Sequence, residues 1–265
     1  MAADGAIRIG VAGALGRMGK AVAAAAQARP GLELVALFDR AGTEGQVIDS
    51  RALVTRAQAL DACQVIVDFT IGAASAELAQ AAAEHSGVAL VIGSTGFSDR
   101  DEEQVRAAAA RIAIVKSGNF SLGVNVLTGL VRQAARALSA DYDIEVFEAH
   151  HRRKVDAPSG TALMLGEAAA EGRKTPLRDV QVRARDGLTG PRDLGSIGFA
   201  VSRAGGIVGE HSVMFAAEDE ILTLSHSARD RSLFARGAVE AAAWIAGRPS
   251  GLYDMQDVLG FSKTP

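Results

Sequence analysis

The chain has 265 residues, with 28 basic and 31 acidic side chains and a formal net charge of −3. Hydrophobic residues make up 48% and charged residues 22%, which excludes a disordered chain, and the sign of the charge excludes a nucleic-acid binder acting through bulk charge. The one cysteine, Cys63, rules out an intrachain disulfide and a cysteine-rich zinc site, and points to a reducing compartment.

The apolar run Ala21 to Ala26 falls far short of the roughly 20 residues that span a bilayer, and Asp4 precedes any lysine or arginine, unlike a secretory leader. The expectation is a cytoplasmic protein with neither a membrane nor a nucleic-acid partner.

Ala6 to Ala12 is short, apolar and β-prone, and predicts a strand. Glycines follow at Gly10, Gly13, Gly16 and Gly19, then an alanine-rich helix over Lys20 to Arg29, stopped by Pro30-Gly31. Leu32 to Phe38 is a second strand, ending at Asp39-Arg40. The alternation continues with a strand over Gln64 to Phe69, a helix over Ala74 to Glu84, a strand over Val88 to Ile92, a helix over Asp99 to Ala110 and a strand over Ile112 to Val115. Continuous apolar strands alternating with helices predict a Rossmann-type, doubly wound parallel sheet covered on both faces, an α/β architecture.

After a helix over Val124 to Leu138 the pattern changes. Asp143 to Glu148 reads as a strand and Thr161 to Glu171 as a helix. Val180 to Ala184, Ser196 to Arg203, Gly209 to Ala216 and Glu220 to His226 are strand-like, with Glu218-Asp219 as a hairpin tip. A sheet with so few helices keeps one face open within its own chain, and a homo-oligomer is the simplest cover. Ser232 to Ala246 returns to the alanine-rich helical composition of the start. The expected division is a first domain over 1–122, rejoined by 232–265, and a second α+β domain over 123–231.

The first candidate site is Gly10-Val11-Ala12-Gly13-Ala14-Leu15-Gly16-Arg17-Met18-Gly19. Glycines let the backbone turn sharply and approach a pyrophosphate, and the helix that follows offers unpaired N–H groups. Asp39 stands where a ribose hydroxyl would lie. The spacing departs from the strict G-x-G-x-x-G, and tight strand-to-helix turns also occur without ligands. Strand, turn, helix, strand and acid together favour a dinucleotide. The Asp39 carboxylate suits the ribose diol of NADH, whereas Arg40, with Arg17, suits the extra phosphate of NADPH. Both coenzymes are expected, NADH preferred. Gly93-Ser94-Thr95-Gly96 and Ser117-Gly118-Asn119-Phe120 follow parallel strands at their carboxyl ends and fit a nicotinamide edge, though each alone is also an ordinary loop.

The most concentrated chemistry is His150-His151-Arg152-Arg153-Lys154-Val155-Asp156-Ala157-Pro158-Ser159-Gly160-Thr161. His150 and His151 face opposite sides if the strand persists. Ser159-Gly160-Thr161 opens a helix whose N–H groups bind a carboxylate, and Lys154 pairs with a second one. The set suits a small dicarboxylate substrate; the competing reading is a solvated basic turn before an ordinary capped helix. Metal binding by the two histidines is disfavoured, since neighbours on a strand diverge. His85, His211 and His226 have no comparable company in the sequence and are expected at surface or satisfied core positions. Cys63 is expected to be a packing residue.

Gly13 to Gly19, Glu148 to Ala162 and Gly251-Leu252-Tyr253-Asp254-Met255-Gln256-Asp257-Val258-Leu259 resemble the dihydrodipicolinate reductase family, in order and over essentially the whole chain. The resemblance implies an NADH- or NADPH-dependent oxidoreductase of lysine and diaminopimelate biosynthesis. Such an enzyme reduces 4-hydroxy-tetrahydrodipicolinate or dihydrodipicolinate to tetrahydrodipicolinate. It also implies a substrate domain with an open mixed sheet through which homotetramers form. The family's proton donor falls on His150 and its second catalytic group on Lys154. Substrate contacts fall on His151, Ser159, Gly160 and Thr161. Coenzyme contacts fall on Gly13, Ala14, Leu15, Gly16, Arg17, Met18, Asp39 and Arg40, and on Gly93, Ser94, Thr95, Ser117, Gly118, Asn119 and Phe120. No metal is implied. Two rival readings stand beside this one. A non-catalytic dinucleotide-sensing regulator would not need the block from His150 to Lys154. Another Rossmann dehydrogenase, acting on a semialdehyde of the acylating type or a sugar, would in the first case want a cysteine near the nicotinamide, where Cys63 is badly placed.

Overall fold

Short runs of β-branched and apolar residues form strands, and the alanine-rich runs between them form helices. A computed structural model describes residues 5–85 and 87–261; the outer ends of the expected first domain, 1–4 and 262–265, and with them Asp4, lie outside the described residues. In chain order the first elements are β1 (Ile7–Ala12), α1 (Arg17–Ala28), β2 (Leu32–Phe38), a small hairpin of β3 (Val47–Ile48) and β4 (Arg51–Ala52), α2 (Arg56–Ala62), β5 (Val65–Asp68), α3 (Gly72–Glu84), β6 (Ala89–Ile92), α4 (Asp99–Ala109) and β7 (Ala113–Lys116). Next come α5 (Leu122–Ala137), β8 (Asp143–His150), α6 (Gly160–Gly172), α7 (Leu177–Val180), β9 (Gln181–Val182), β10 (Ile197–Arg203), β11 (Gly209–Ala216) and β12 (Ile221–Ala228). The last are α8 (Ser232–Ile245), β13 (Gly251–Tyr253) and α9 (Met255–Val258). These elements gather into two units, one running to Leu122 and resuming at Ser232, the other spanning Gly123–Arg231.

In the first unit a parallel sheet has the order β2-β1-β5-β6-β7-β13. Side chains alternate across it and feed two cores. On one face Val11, Val67, Val91 and Val115 pack with Val22 and Ala26 of α1 and Ala238, Ala242 and Ile245 of α8. On the other, Ile66, Leu90, Ile92 and Ile114 pack with Leu60 of α2, Ala79 and Ala82 of α3 and Val105 of α4. Small alanines let these helices lie close to the strands. The chain leaves β1 for β2 on one side and then crosses to β5 on the other. This switch leaves a crevice at the carboxyl ends of those strands, the usual ligand position in open α/β sheets.

In the second unit a mixed sheet has the order β12-β11-β8-β10-β9, with β11 antiparallel to β8 and β12, and β10 parallel to β8 and β9. Leu127 and Val131 of α5 and Leu165 and Ala169 of α6 bury Val146, Phe199, Val213 and Phe215 on one face. On the opposite face Phe147, Ala200, Ser202 and Glu210 are exposed. The α/β class expected from the sequence, a Rossmann-type sheet with a second part built on an open mixed sheet, is what the chain forms.

Several local expectations need correction. Helix α1 starts at Arg17 rather than Lys20, because Gly16 already serves as its N-cap. Strand β8 runs on to His150, held there by continued pairing with β10 and β11. Leu177 to Val180 is a helical turn, and only Gln181–Val182 pair with β10. Helix α2, closed by a Thr55–Gln58 capping box, and the edge strand β13 were not predicted. Among the described residues no helix is long and apolar enough to cross a membrane.

Candidate active site

The turn after β1 is built by close backbone contact. Gly13 has φ +73°, a conformation L side chains avoid. Gly19 lies so near the turn that a Cβ there would stand 2.1 Å from the Gly13 carbonyl oxygen. Several N–H groups of the turn are already engaged: Ala14 N donates to Phe38 O at 3.2 Å, Leu15 N to Asp39 Oδ2 at 2.9 Å and Gly16 N to Gly13 O at 3.0 Å. The N–H groups left for an anion are those of the first turn of α1, Arg17 to Gly19. Gly16 gives that helix no side-chain cap, and no acid stands in its first turn.

A cavity of about 900 Å³ opens at the switch point, lined by Gly13, Leu15 and Gly16 of the turn, Asp39 and Arg40 after β2, and Phe69 and Thr70 after β5. Asp39 accepts N–H bonds from Leu15 and, at 2.8 Å, from Arg40, which fixes its carboxylate; a carboxylate has about four acceptor sites, so two stay open for a ribose diol. The pyrophosphate-sized turn, the fixed acid and the bare helix end fit a nicotinamide dinucleotide. Arg40 lines it and is exposed, whereas Arg17 is exposed but does not line it.

The other predicted coenzyme residues do not line this cavity. Ala14 is buried at 1% exposure and Met18 is half-buried against the core. The Gly93 to Gly96 loop is tied to the start of α3: Ser94 Oγ meets Ser75 Oγ at 2.5 Å, and Gly72 N donates to Thr95 O. In the next loop Ser117 Oγ donates to Asn119 O, and Asn119 Oδ1 accepts from Ser121 N at 2.8 Å. The Phe120 ring is a core residue at 1% exposure, edge-on to Phe69 at 5.7 Å, so it offers a ligand backbone and not side chain. Sequence reasoning missed Phe69, Thr70 and Arg56 in the cavity wall.

In the second unit, β8 delivers Glu148 and His150 to one face, two residues apart as a pleated strand requires. Glu148 Oε2 lies 2.5 Å from His150 Nδ1, and Glu148 Oε1 accepts from Ser159 N at 3.0 Å. Arg203, beside His150 across the β10 ladder, grips both Glu148 oxygens at 2.8 Å. The sequence surrounds His150 with cations, but the group its ring touches is this carboxylate. Burial opposes charge on Glu148, yet Arg203, His150 and the Ser159 N–H together hold its carboxyl below the usual range.

His211 is the main correction among the histidines. It is buried, stands opposite Glu148 on β11, meets His150 edge-on at 5.0 Å, and places Nε2 3.2 Å from Ser159 Oγ. Burial, with the charge of His150, pushes it down to about 4, so it is a neutral ring in this cluster. His226 pairs with it on β12. His85 holds an exposed ion pair with Asp61, a surface position as expected. Cys63 is 5% exposed and its thiol is pushed up to about 12 by burial, which makes it inert packing.

Ser159 caps α6, accepting from Ala162 N at 3.2 Å, and the first turn of this helix also lacks acids. Gly160 is exposed and Thr161 half-buried there. Lys154 pairs with Asp156 at 2.9 Å, and that ammonium holds Asp156 below the usual carboxylate range. His151 lies just past the end of β8, and its Nε2 accepts from Arg231 at 3.2 Å. Burial, with Arg153 and Arg231, pushes His151 down. The cluster thus joins a carboxylate-held imidazole, an ammonium and a helix N-terminus, groups whose chemistry suits donating one proton and holding two anionic groups.

Comparison with known proteins identifies the family. Models described as Dihydrodipicolinate reductase, N-terminus, and Dihydrodipicolinate reductase, C-terminus, match residues 7–120 and 123–259. The chain is 62% identical to the 4-hydroxy-tetrahydrodipicolinate reductase of Caulobacter vibrioides, over 97% of this chain and 98% of that one. It is 50% identical to the enzyme of the same name from Parvibaculum lavamentivorans, over 98% and 99%. Its fold matches a dipicolinate-bound dihydrodipicolinate reductase from Paenisporosarcina sp. TG-14 with a TM-score of 0.75 at 22% identity, over 94% and 97% of the two chains. With both halves matched and relatives this similar along nearly their whole length, the chain belongs to the dihydrodipicolinate reductase family.

Proposed function

We propose that the chain is an NAD(P)H-dependent 4-hydroxy-tetrahydrodipicolinate reductase of lysine and diaminopimelate biosynthesis. The observation that carries the reading is the Glu148–His150 pair standing in one unit with Lys154 and the Ser159-capped N-terminus of α6. A regulator that only senses a dinucleotide has no use for that cluster.

When bound, the reduced coenzyme supplies the hydride. His150 gives the balancing proton to the ring nitrogen of the substrate. The first-turn N–H groups of α6, at Gly160 and Thr161, hold one carboxylate of the dicarboxylate, with Ser159 setting the helix end. An ammonium has three donors; Lys154 uses one on Asp156 and directs another to the second carboxylate. His151 lies along the same edge as a further contact. The reaction adds one hydride and one proton and expels one water from the hydroxylated ring.

In the first unit Gly13, Leu15 and Gly16 shape the coenzyme turn, and Arg17, Met18 and Gly19 present N–H groups to the pyrophosphate. Asp39 takes the ribose diol, while Arg40 and Arg17 pair with the extra phosphate of NADPH. The loops at Gly93, Ser94 and Thr95 and at Ser117, Gly118, Asn119 and Phe120 border the nicotinamide. Both coenzymes serve, NADH the better. The protein works in the cytoplasm, and the exposed face bearing Phe147 and Ala200 supports a homotetramer built through the mixed sheet.

The test is NADH or NADPH absorbance after addition of freshly prepared 4-hydroxy-tetrahydrodipicolinate. Oxidation that depends on the substrate is expected. Coenzyme binding without turnover would instead favour the regulator.

A further inference from the structure

We infer that Glu148 is the positioning residue of this site, fixing His150 as the Nδ1–H tautomer so that Nε2 alone gives up and regains the catalytic proton. The inference rests on the reductase reading for its chemistry, but not for its geometry.

An ionised carboxylate only accepts, so the nitrogen 2.5 Å from Glu148 must carry the hydrogen. Glu148 is ionised because its environment is built for charge. It is 4% exposed, and its two oxygens receive His150 Nδ1, Ser159 N and both terminal nitrogens of Arg203. Those four donors fill its acceptor sites, which leaves the carboxylate no freedom to turn. Nε2 of His150 has no hydrogen bond among the described residues. The charged and titratable groups around this ring are Glu148 on its own strand, Arg203 on β10, His211 on β11, and Lys154 and His151 in the loop that follows.

The same carboxylate reaches the helix that binds substrate. Its bond from Ser159 N sets the N-cap of α6, and Ser159 Oγ rests against the neutral His211 ring. One buried anion therefore positions both the proton donor and the anion-binding helix end. Its sequence signal was present: a carboxylate two residues before a histidine on a strand shares that histidine's face.

The test is nitrogen-15 NMR of the histidine-labelled, full-length protein titrated to alkaline pH, with His150 identified by its loss in His150→Gln. The expected result is a neutral His150 whose proton stays on Nδ1, whereas free imidazoles of histidine favour Nε2–H. In Glu148→Ala the neutral ring is expected to shift to Nε2–H, and kcat to fall roughly a hundredfold or more, as when a triad carboxylate that sets a tautomer is lost. The KM for coenzyme is expected to stay unchanged. A neutral His150 carrying its proton on Nε2 in the parent protein would overturn the inference, and that spectrum needs no Glu148 variant to fold. The correct tautomer in a protein that fails to turn over would leave the inference standing and sink the reductase reading instead.

Discussion

Replacing Gly19 by alanine presses a methyl group into the coenzyme turn. The new Cβ would stand 2.1 Å from the Gly13 carbonyl oxygen, 2.7 Å from its carbon and 2.8 Å from Ala14 Cα. All three are backbone atoms, so no flexible side-chain end can swing aside. Ordinary contact begins near 3.4 Å, so the turn or the helix must retreat by about 1.3 Å. Gly13 O also accepts from Gly16 N at 3.0 Å, and retreat breaks that bond. Overpacking of this kind costs about 1–3 kcal/mol, which lowers Tm by roughly 2–10 °C for a chain of this size. For the coenzyme the effect is larger in kind. An N–H to phosphate contact near 2.9 Å stretched by ~1 Å is no longer a hydrogen bond. Losing one charge-assisted bond removes about 1.5–3 kcal/mol, or roughly a tenfold to hundredfold rise in Kd. NADH fluorescence titration beside a thermal melt reads both quantities. A Kd within about twofold of the parent would refute the close approach of α1 to a phosphate-binding turn.

Three further outcomes follow from the same geometry. Arg40→Ala is expected to raise the Kd for NADPH about tenfold while NADH changes little, since it removes one exposed charge pair; equal losses would remove Arg40 from coenzyme selection. Lys154→Ala is expected to raise KM for the dicarboxylate and lower kcat, with NADH affinity intact; steady-state kinetics at saturating coenzyme reads this, and an unchanged KM would leave the clamp unsupported. Asp68 is fully buried, with Oδ1 accepting from Thr70, and burial raises its carboxyl against the pull of Ser75 and Thr70. A raised folded value means its stability is full below the unfolded carboxyl range and is lost as pH rises through the folded value. Asp68→Asn is therefore expected to gain Tm relative to the parent as pH rises; parallel Tm-against-pH curves would contradict this.

Much of the first unit was legible because its signals are local. Leu32 to Phe38 is an apolar run interrupted by Glu33 and bounded by Pro30-Gly31 and Asp39, and β2 has those limits. Helix α4 starts at Asp99, where Ser98 and Asp101 form a capping box. Helix α2 was missed although its capping signal, Thr55 and Gln58, is also local; the helix is only Arg56–Ala62, too short for periodicity to show. Edge strand β13 is held by pairing with β7, far away in sequence. The site follows the same division. His150, Lys154 and Ser159 lie within one block, so their chemistry could be read together. Glu148 was readable by strand parity, but the strand was ended at Glu148 itself, which hid the pair. Arg203 and His211 reach the cluster only through the registers Arg203↔His150 and His211↔Glu148, and nothing in a single sequence fixes those registers.

The most direct measurement is the turnover of His150→Gln with freshly prepared 4-hydroxy-tetrahydrodipicolinate, read beside its NADH affinity. The expected result is a kcat lower by roughly 10²–10⁴, the range for losing a general acid, with NADH affinity unchanged. A kcat equal to the parent's would show that His150 is not the proton donor and would contradict the mechanism.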